Sequence, residues 1–108
     1  MNQNRIDLLE HYISEEPDNA FNKYALAMEY FDEAPEKSAE VLDLLLSEHP
    51  DYLPSYYKAA HLQWDAFENM EGAKEIFEKG IELAKEVKDE KAIGELKASY
   101  QNLLFEMD

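Results

Sequence analysis

Two proline-marked seams, 33 residues apart, constrain what this chain can fold into more than any other feature. The first reads Pro17-Asp18-Asn19-Ala20-Phe21-Asn22-Lys23-Tyr24-Ala25-Leu26-Ala27, and the second reads Pro50-Asp51-Tyr52-Leu53-Pro54-Ser55-Tyr56-Tyr57-Lys58-Ala59-Ala60. In each, a proline ends one apolar helical pattern, an acid follows, and an aromatic-rich segment opens the next pattern. A constant spacing of this length marks a supersecondary unit used more than once.

The segments between the seams read as helices. Residues 3–16 carry Ile6, Leu9, Tyr12 and Ile13 at helical spacing before Pro17. Asp18 or Asn19 is placed to cap a second helix, expected to run to about Asp32. Ala34-Pro35 breaks it, because the residue before proline avoids the α region, while Pro35 suits the first turn of a third helix over 35–48. That helix presents Ser38, Val41, Leu42, Leu45 and Leu46 on one side. A fourth helix is predicted from Pro54 to about Phe67. A fifth, capped by Asn69, carries Ala73, Ile76, Phe77, Gly80, Ile81, Ala84 and Val87. Gly80 inside this stripe costs about 1 kcal/mol relative to alanine, so close helix packing is expected there. Asp89 caps a last helix with Ile93, Leu96, Tyr100, Leu103 and Leu104. No segment alternates like a strand. Six helices joined by short turns make sequential helices antiparallel neighbours.

The seams resemble those of the tetratricopeptide repeat (TPR), in the form of a small bacterial-type domain protein. Its pattern is W-x2-L-G-x2-Y…A-x3-F…P. Leu26, Ala27 and Tyr30 stand at the L-G-x2-Y places, and Ser38, Leu42 and Pro50 at the A, F and P places. Lys23 replaces the tryptophan. In the next unit Tyr56 stands at the tryptophan place, Ala59-Ala60 at Leu-Gly, and Ala73-x3-Phe77-x2-Gly80 follows closely, but Gln63 departs from the tyrosine and the closing proline is missing. The resemblance implies an all-α fold of antiparallel helix-turn-helix repeats, a TPR-like α-solenoid of about six helices in a single domain, 1–108. Residues 1–16 would form an N-terminal capping helix, 17–50 and 51–88 the repeats, and 89–108 a C-terminal capping helix. One hairpin cannot bury its apolar face, so the terminal helices must supply the missing layers, with Arg5, Glu10, Lys97 and Glu106 facing solvent.

Turning about 100° per residue divides the first helix of each repeat into two faces. Lys23, Leu26, Ala27 and Tyr30 form the packing stripe of one, and Phe21, Tyr24, Met28 and Phe31 a second apolar stripe. The matching second stripe of the next repeat is Pro54, Tyr57, His61 and Trp64. In TPR proteins this second face lines a concave groove that holds a partner's peptide or helix. Tyr24, Met28, Tyr57 and His61 are expected in such a groove; Phe31 and Trp64, nearest the packing side, fit either the groove or a neighbouring helix. Asp32 and Asp65 follow directly, which predicts an acidic rim and a partner with apolar anchors and Lys or Arg. Tyr24 and Met28 stand where the family's carboxylate clamps need Lys and Asn, so that binding mode is not expected.

The charge agrees with a basic partner. The net value is −15, a field that repels nucleic-acid backbones and anionic membranes and attracts cations over about 8–10 Å. It also serves solubility. With no cysteine, disulfides, thiol nucleophiles and thiolate metal sites are excluded. His11, His49 and His61 fall on different helices without ligand spacing, and no HExxH, GxSxG or phosphate-cradling loop is present. No catalytic residue, metal or cofactor is predicted. The amino-terminal residues lead straight into an amphipathic stretch with Asp7 and Glu10, so a cytoplasmic protein is expected. The expected function is a non-enzymatic adaptor. The alternatives are an acidic decoy for a basic nucleic-acid-binding surface and a homo-oligomerisation module.

Overall fold

The structure, a computed structural model describing residues 1–108, is built from helices and contains no strand. In chain order they are α1 (Gln3–Glu15), α2 (Ala20–Tyr30), α3 (Pro35–Glu48), α4 (Pro54–Asp65), α5 (Met70–Glu86) and α6 (Glu90–Met107). None is long and apolar enough to cross a membrane. The chain divides into two compact units, Met1–Ser55 and Tyr56–Asp108.

The predicted caps hold. The side chains of Asn19, Asn69 and Asp89 accept from the backbone N–H groups of Phe21, Gly72 and Ala92 at 3.0–3.1 Å. Each satisfies a donor that the first helical turn leaves open. Asn2 does the same for Arg5 and starts α1, a cap the sequence reading did not single out. Two helices end earlier than expected. Helix α2 stops at Tyr30, where the Ala34 N–H turns back to the Tyr30 carbonyl. Helix α4 stops at Asp65, where the Asn69 N–H reaches the Gln63 carbonyl and Glu68 takes a left-handed φ of 53°. In both cases a backbone turn captures the last carbonyls before the apolar pattern runs out.

In the first unit α1 packs on α2 and α2 on α3. Ile6, Leu9 and Leu26 form a buried cluster, flanked by Ile13, Ala25, Tyr30 and Val41. The amino-terminal helix thus covers an apolar face that one hairpin would leave open. Tyr12, expected on that face, lies instead 44% exposed. Ser38, at the small-residue position of the repeat, is fully buried and its Oγ donates to the Ala27 carbonyl at 2.8 Å. Lys23 stands where the family pattern has tryptophan. Its stem is largely covered and its ammonium reaches Glu48 at 3.1 Å, so the aliphatic part packs while the charge stays paired.

In the second unit Tyr56, Ala59 and Ala60 of α4 are buried, as their place in the packing stripe predicts. Phe77 of α5 and Leu103 of α6 are fully buried. Gly80 explains itself here. A Cβ built on it would lie 2.8 Å from the Tyr56 Cβ, so only glycine lets α4 and α5 approach this closely, whereas Leu96 Cδ1 of α6, at 3.5 Å, would be in ordinary contact with it. Val87 departs from the expected α5 face and is 57% exposed, because it lies past the last helical residue.

Candidate partner-binding faces

On α2 only Leu26 and Ala27 are buried, so the second apolar stripe is left outside the core. Phe21 is the most open member, at 61% exposure. Tyr24, Met28 and Phe31 are half-buried. The Tyr24 ring leans on Tyr52, with centroids 5.7 Å apart at 57°. Tyr52 belongs to the second seam, and the wheel of α2 alone gives no sign of this contact. Burial, with the neighbouring Tyr52 second, pushes the Tyr24 phenol above its ordinary range. Phe31 is the C-cap of α2, its N–H donating to the Met28 carbonyl at 3.3 Å, and Asp32 is exposed in the turn that follows.

The predicted face of α4 is built differently. Tyr57, His61 and Trp64 are half-buried and form a continuous run of rings. Tyr57 and His61 lie 4.5 Å apart, and His61 stacks on Trp64 at 5.6 Å and 22°. Phe77 meets both His61 and Trp64 edge-on, at 5.5 and 6.5 Å. Edge-to-face and offset contacts of this kind are favourable beyond the area they bury. Polar groups of α6 complete the arrangement. The Trp64 indole N–H donates to Glu106 at 3.0 Å, and Ser99 Oγ lies 3.0 Å from His61 Nε2 and donates to the Tyr57 hydroxyl at 3.4 Å. Asp65, exposed, has a carboxylate oxygen 3.4 Å from His61 Nδ1.

Ser99, His61 and Asp65 therefore stand in the order of a hydrolytic triad, a line that no sequence motif announces. The remaining parts of such a site are missing. Ser99 sits well inside α6, so the surrounding backbone N–H groups are committed to the helix and cannot form an oxyanion hole. Its exposure is 9%, which leaves little approach for a substrate, and Asp65 is too open to water to hold the imidazole firmly. The line ties α4 to α6. No group of three or more His, Cys, Asp or Glu side chains is placed to hold a metal ion.

Wheel geometry separates the two stripes but gives no sign of Tyr52, Phe77, Ser99 and Glu106 as neighbours of the candidate residues. Phe77 was legible as a core position. Ser99 and Glu106 follow only from the register of α6 on α4, which sequence spacing does not set.

No protein-family model matches the chain, and no curated protein matches it. Solved structures do. The chain is 26% identical to a tetratricopeptide repeat domain protein from Salinibacter ruber known from a solution NMR structure, with a TM-score of 0.75 over 82% of this chain and 89% of that one. A crystal structure of the tetratricopeptide repeat domain protein from Salinibacter ruber gives 26% identity and a TM-score of 0.73, covering 79% of this chain and 94% of that chain. Helix order, the buried small positions at Ala27, Ser38, Ala60 and Gly80, and this likeness over most of its length agree: the chain has the tetratricopeptide-repeat fold.

Proposed function

We propose that the chain is a non-enzymatic protein-interaction scaffold, in which α2 offers its second apolar stripe to a segment of a partner protein. The supporting observation is that the fold leaves this stripe outside the core, with Phe21 at 61% exposure beside half-buried Tyr24, Met28 and Phe31. Aromatics and methionine in such a position supply adaptable, desolvated anchors. A net charge of −15, with Asp32 at the end of the stripe, favours a partner segment that carries Lys or Arg beside its apolar residues. On α4, Tyr57, His61, Trp64 and Asp65 form a second proposed contact face, firmer because Ser99 and Glu106 already hold it. A cytoplasmic location belongs to the same proposal and is tested by cell fractionation.

The experiment compares partners retained from a native lysate by the wild-type chain and by Phe21→Ser, a substitution at an exposed position that spares the core. Loss of one large apolar anchor weakens binding by about 10-fold or more. A protein retained by the wild type and lost with Phe21→Ser fits the proposal. Equal retention by both refutes the α2 face. Retention that ignores Phe21→Ser and disappears by about 0.3 M salt identifies charge alone as the attraction.

A further inference from the structure

At the turn between α4 and α5 the second unit has a cleft of about 500 Å³, lined by Trp64, Asp65, Glu68, Met70 and Glu106. We propose that this cleft receives the guanidinium of an arginine side chain on a basic partner segment. The proposal rests on the scaffold role only for the source of the arginine.

The lining decides the chemistry. Three carboxylates reject an anion. The ion pairs of Arg5, Lys23 and Lys91 all lie elsewhere, with Glu29, Glu48 and Glu95, so none of these cations neutralises the cleft. His61 meets Asp65 alone among the three. The carboxylates do not converge as a metal ion would require. They are spread around a space in the ordinary range for an organic ligand, roughly 300–1,000 Å³. An extended organic cation fits where a point charge does not.

The two remaining residues favour arginine over lysine. Trp64 is held in place by its bond to Glu106 and by the His61 ring, and indole is the best aromatic partner for a cation. A planar guanidinium stacks on an aromatic ring and the soft thioether of Met70 while forking to a carboxylate; an ammonium cannot do both. Glu68 is exposed at the mouth of the turn, open to an incoming side chain. The chain's net charge of −15 draws a basic segment toward the cleft.

Trp64 is the sole tryptophan, so its emission reports on the cleft without a label. The probe is an acetylated, amidated alanine pentapeptide with arginine at its centre, compared with the same peptide carrying neutral citrulline. The arginine peptide is expected to give a saturable change in Trp64 emission and the citrulline peptide none. Glu68→Gln combined with Glu106→Gln keeps the Trp64 acceptor and side-chain size, and is expected to weaken binding by about fivefold or more. Glu40→Gln, which removes the same kind of charge from an exposed position of α3, should change it by less than about twofold. No saturable response, an equal response to citrulline, or equal weakening by Glu40→Gln overturns the proposal. Because the titration uses no partner protein, its outcome is independent of the Phe21→Ser comparison, and either can fail alone.

Discussion

Gly80 and Gly94 are both helical glycines of the second unit, and replacing each with alanine should move stability in opposite directions. In a helix interior alanine is favoured over glycine by about 0.5–1 kcal/mol, mainly because glycine loses more backbone freedom on folding. At Gly94 of α6 nothing lies within 4 Å of an added Cβ, so Gly94→Ala should gain that amount. At Gly80 the same methyl meets the Tyr56 Cβ at 2.8 Å and its Cγ at 3.2 Å. The Cβ of Tyr56 is fixed to its backbone and the residue is buried, so no rotamer change relieves the contact; α4 and α5 must separate. Overpacking of this kind costs about 1–3 kcal/mol, which exceeds the propensity gain and leaves Gly80→Ala destabilised by about 0.5–2 kcal/mol. Urea unfolding followed by far-UV circular dichroism measures both variants against the wild type. For a domain of this size each 1 kcal/mol corresponds to roughly 4–8 °C in Tm. If Gly80→Ala is as stabilising as Gly94→Ala, the close approach at this glycine is wrong.

Two further perturbations separate hydrogen-bonded from merely buried hydroxyls. Ser38 and Ser55 are both fully buried, but Ser38 donates to the Ala27 carbonyl while the Ser55 Oγ has no partner. Ser38→Ala should cost about 1 kcal/mol in denaturant unfolding and Ser55→Ala nothing or slightly less than nothing, since an unmade bond cannot be lost. The Tyr100 hydroxyl donates to Glu78 at 2.6 Å; that bond first, and then burial and the carboxylate's charge, raise the phenol above its ordinary 10.0. A group whose folded pKa is raised contributes stability below its unfolded value and loses it as pH climbs through the folded one. The wild type should therefore exceed Tyr100→Phe in stability near neutrality, and this advantage should shrink above about pH 10.

Much of the fold was legible because its punctuation is chemical. Pro17, Pro35, Pro50 and Pro54, with the caps Asn19, Asn69 and Asp89, mark most helix boundaries without any tertiary information. The two late errors, at the ends of α2 and α4, come from turns whose carbonyl capture competes with a still-favourable apolar pattern. For the candidate faces the wheel placed the residues but not their neighbours. His61 and Asp65 are visible as an i, i+4 pair, whereas the contact of His61 with Ser99 spans 38 residues and depends on how α6 is set against α4. Tyr24 on Tyr52 is the same case in the first unit: a seam residue folds back onto a helix face that periodicity alone leaves bare.

The most direct test of the scaffold role is an amide NMR map of the chain with the binding segment of a partner retained by the wild type and lost with Phe21→Ser. Shifts concentrated on residues 20–32, strongest around Phe21, Tyr24 and Met28, with a second group on 54–65, are the predicted result. Shifts confined to the other open apolar positions, such as Phe105 of α6 at 85% exposure, would contradict it.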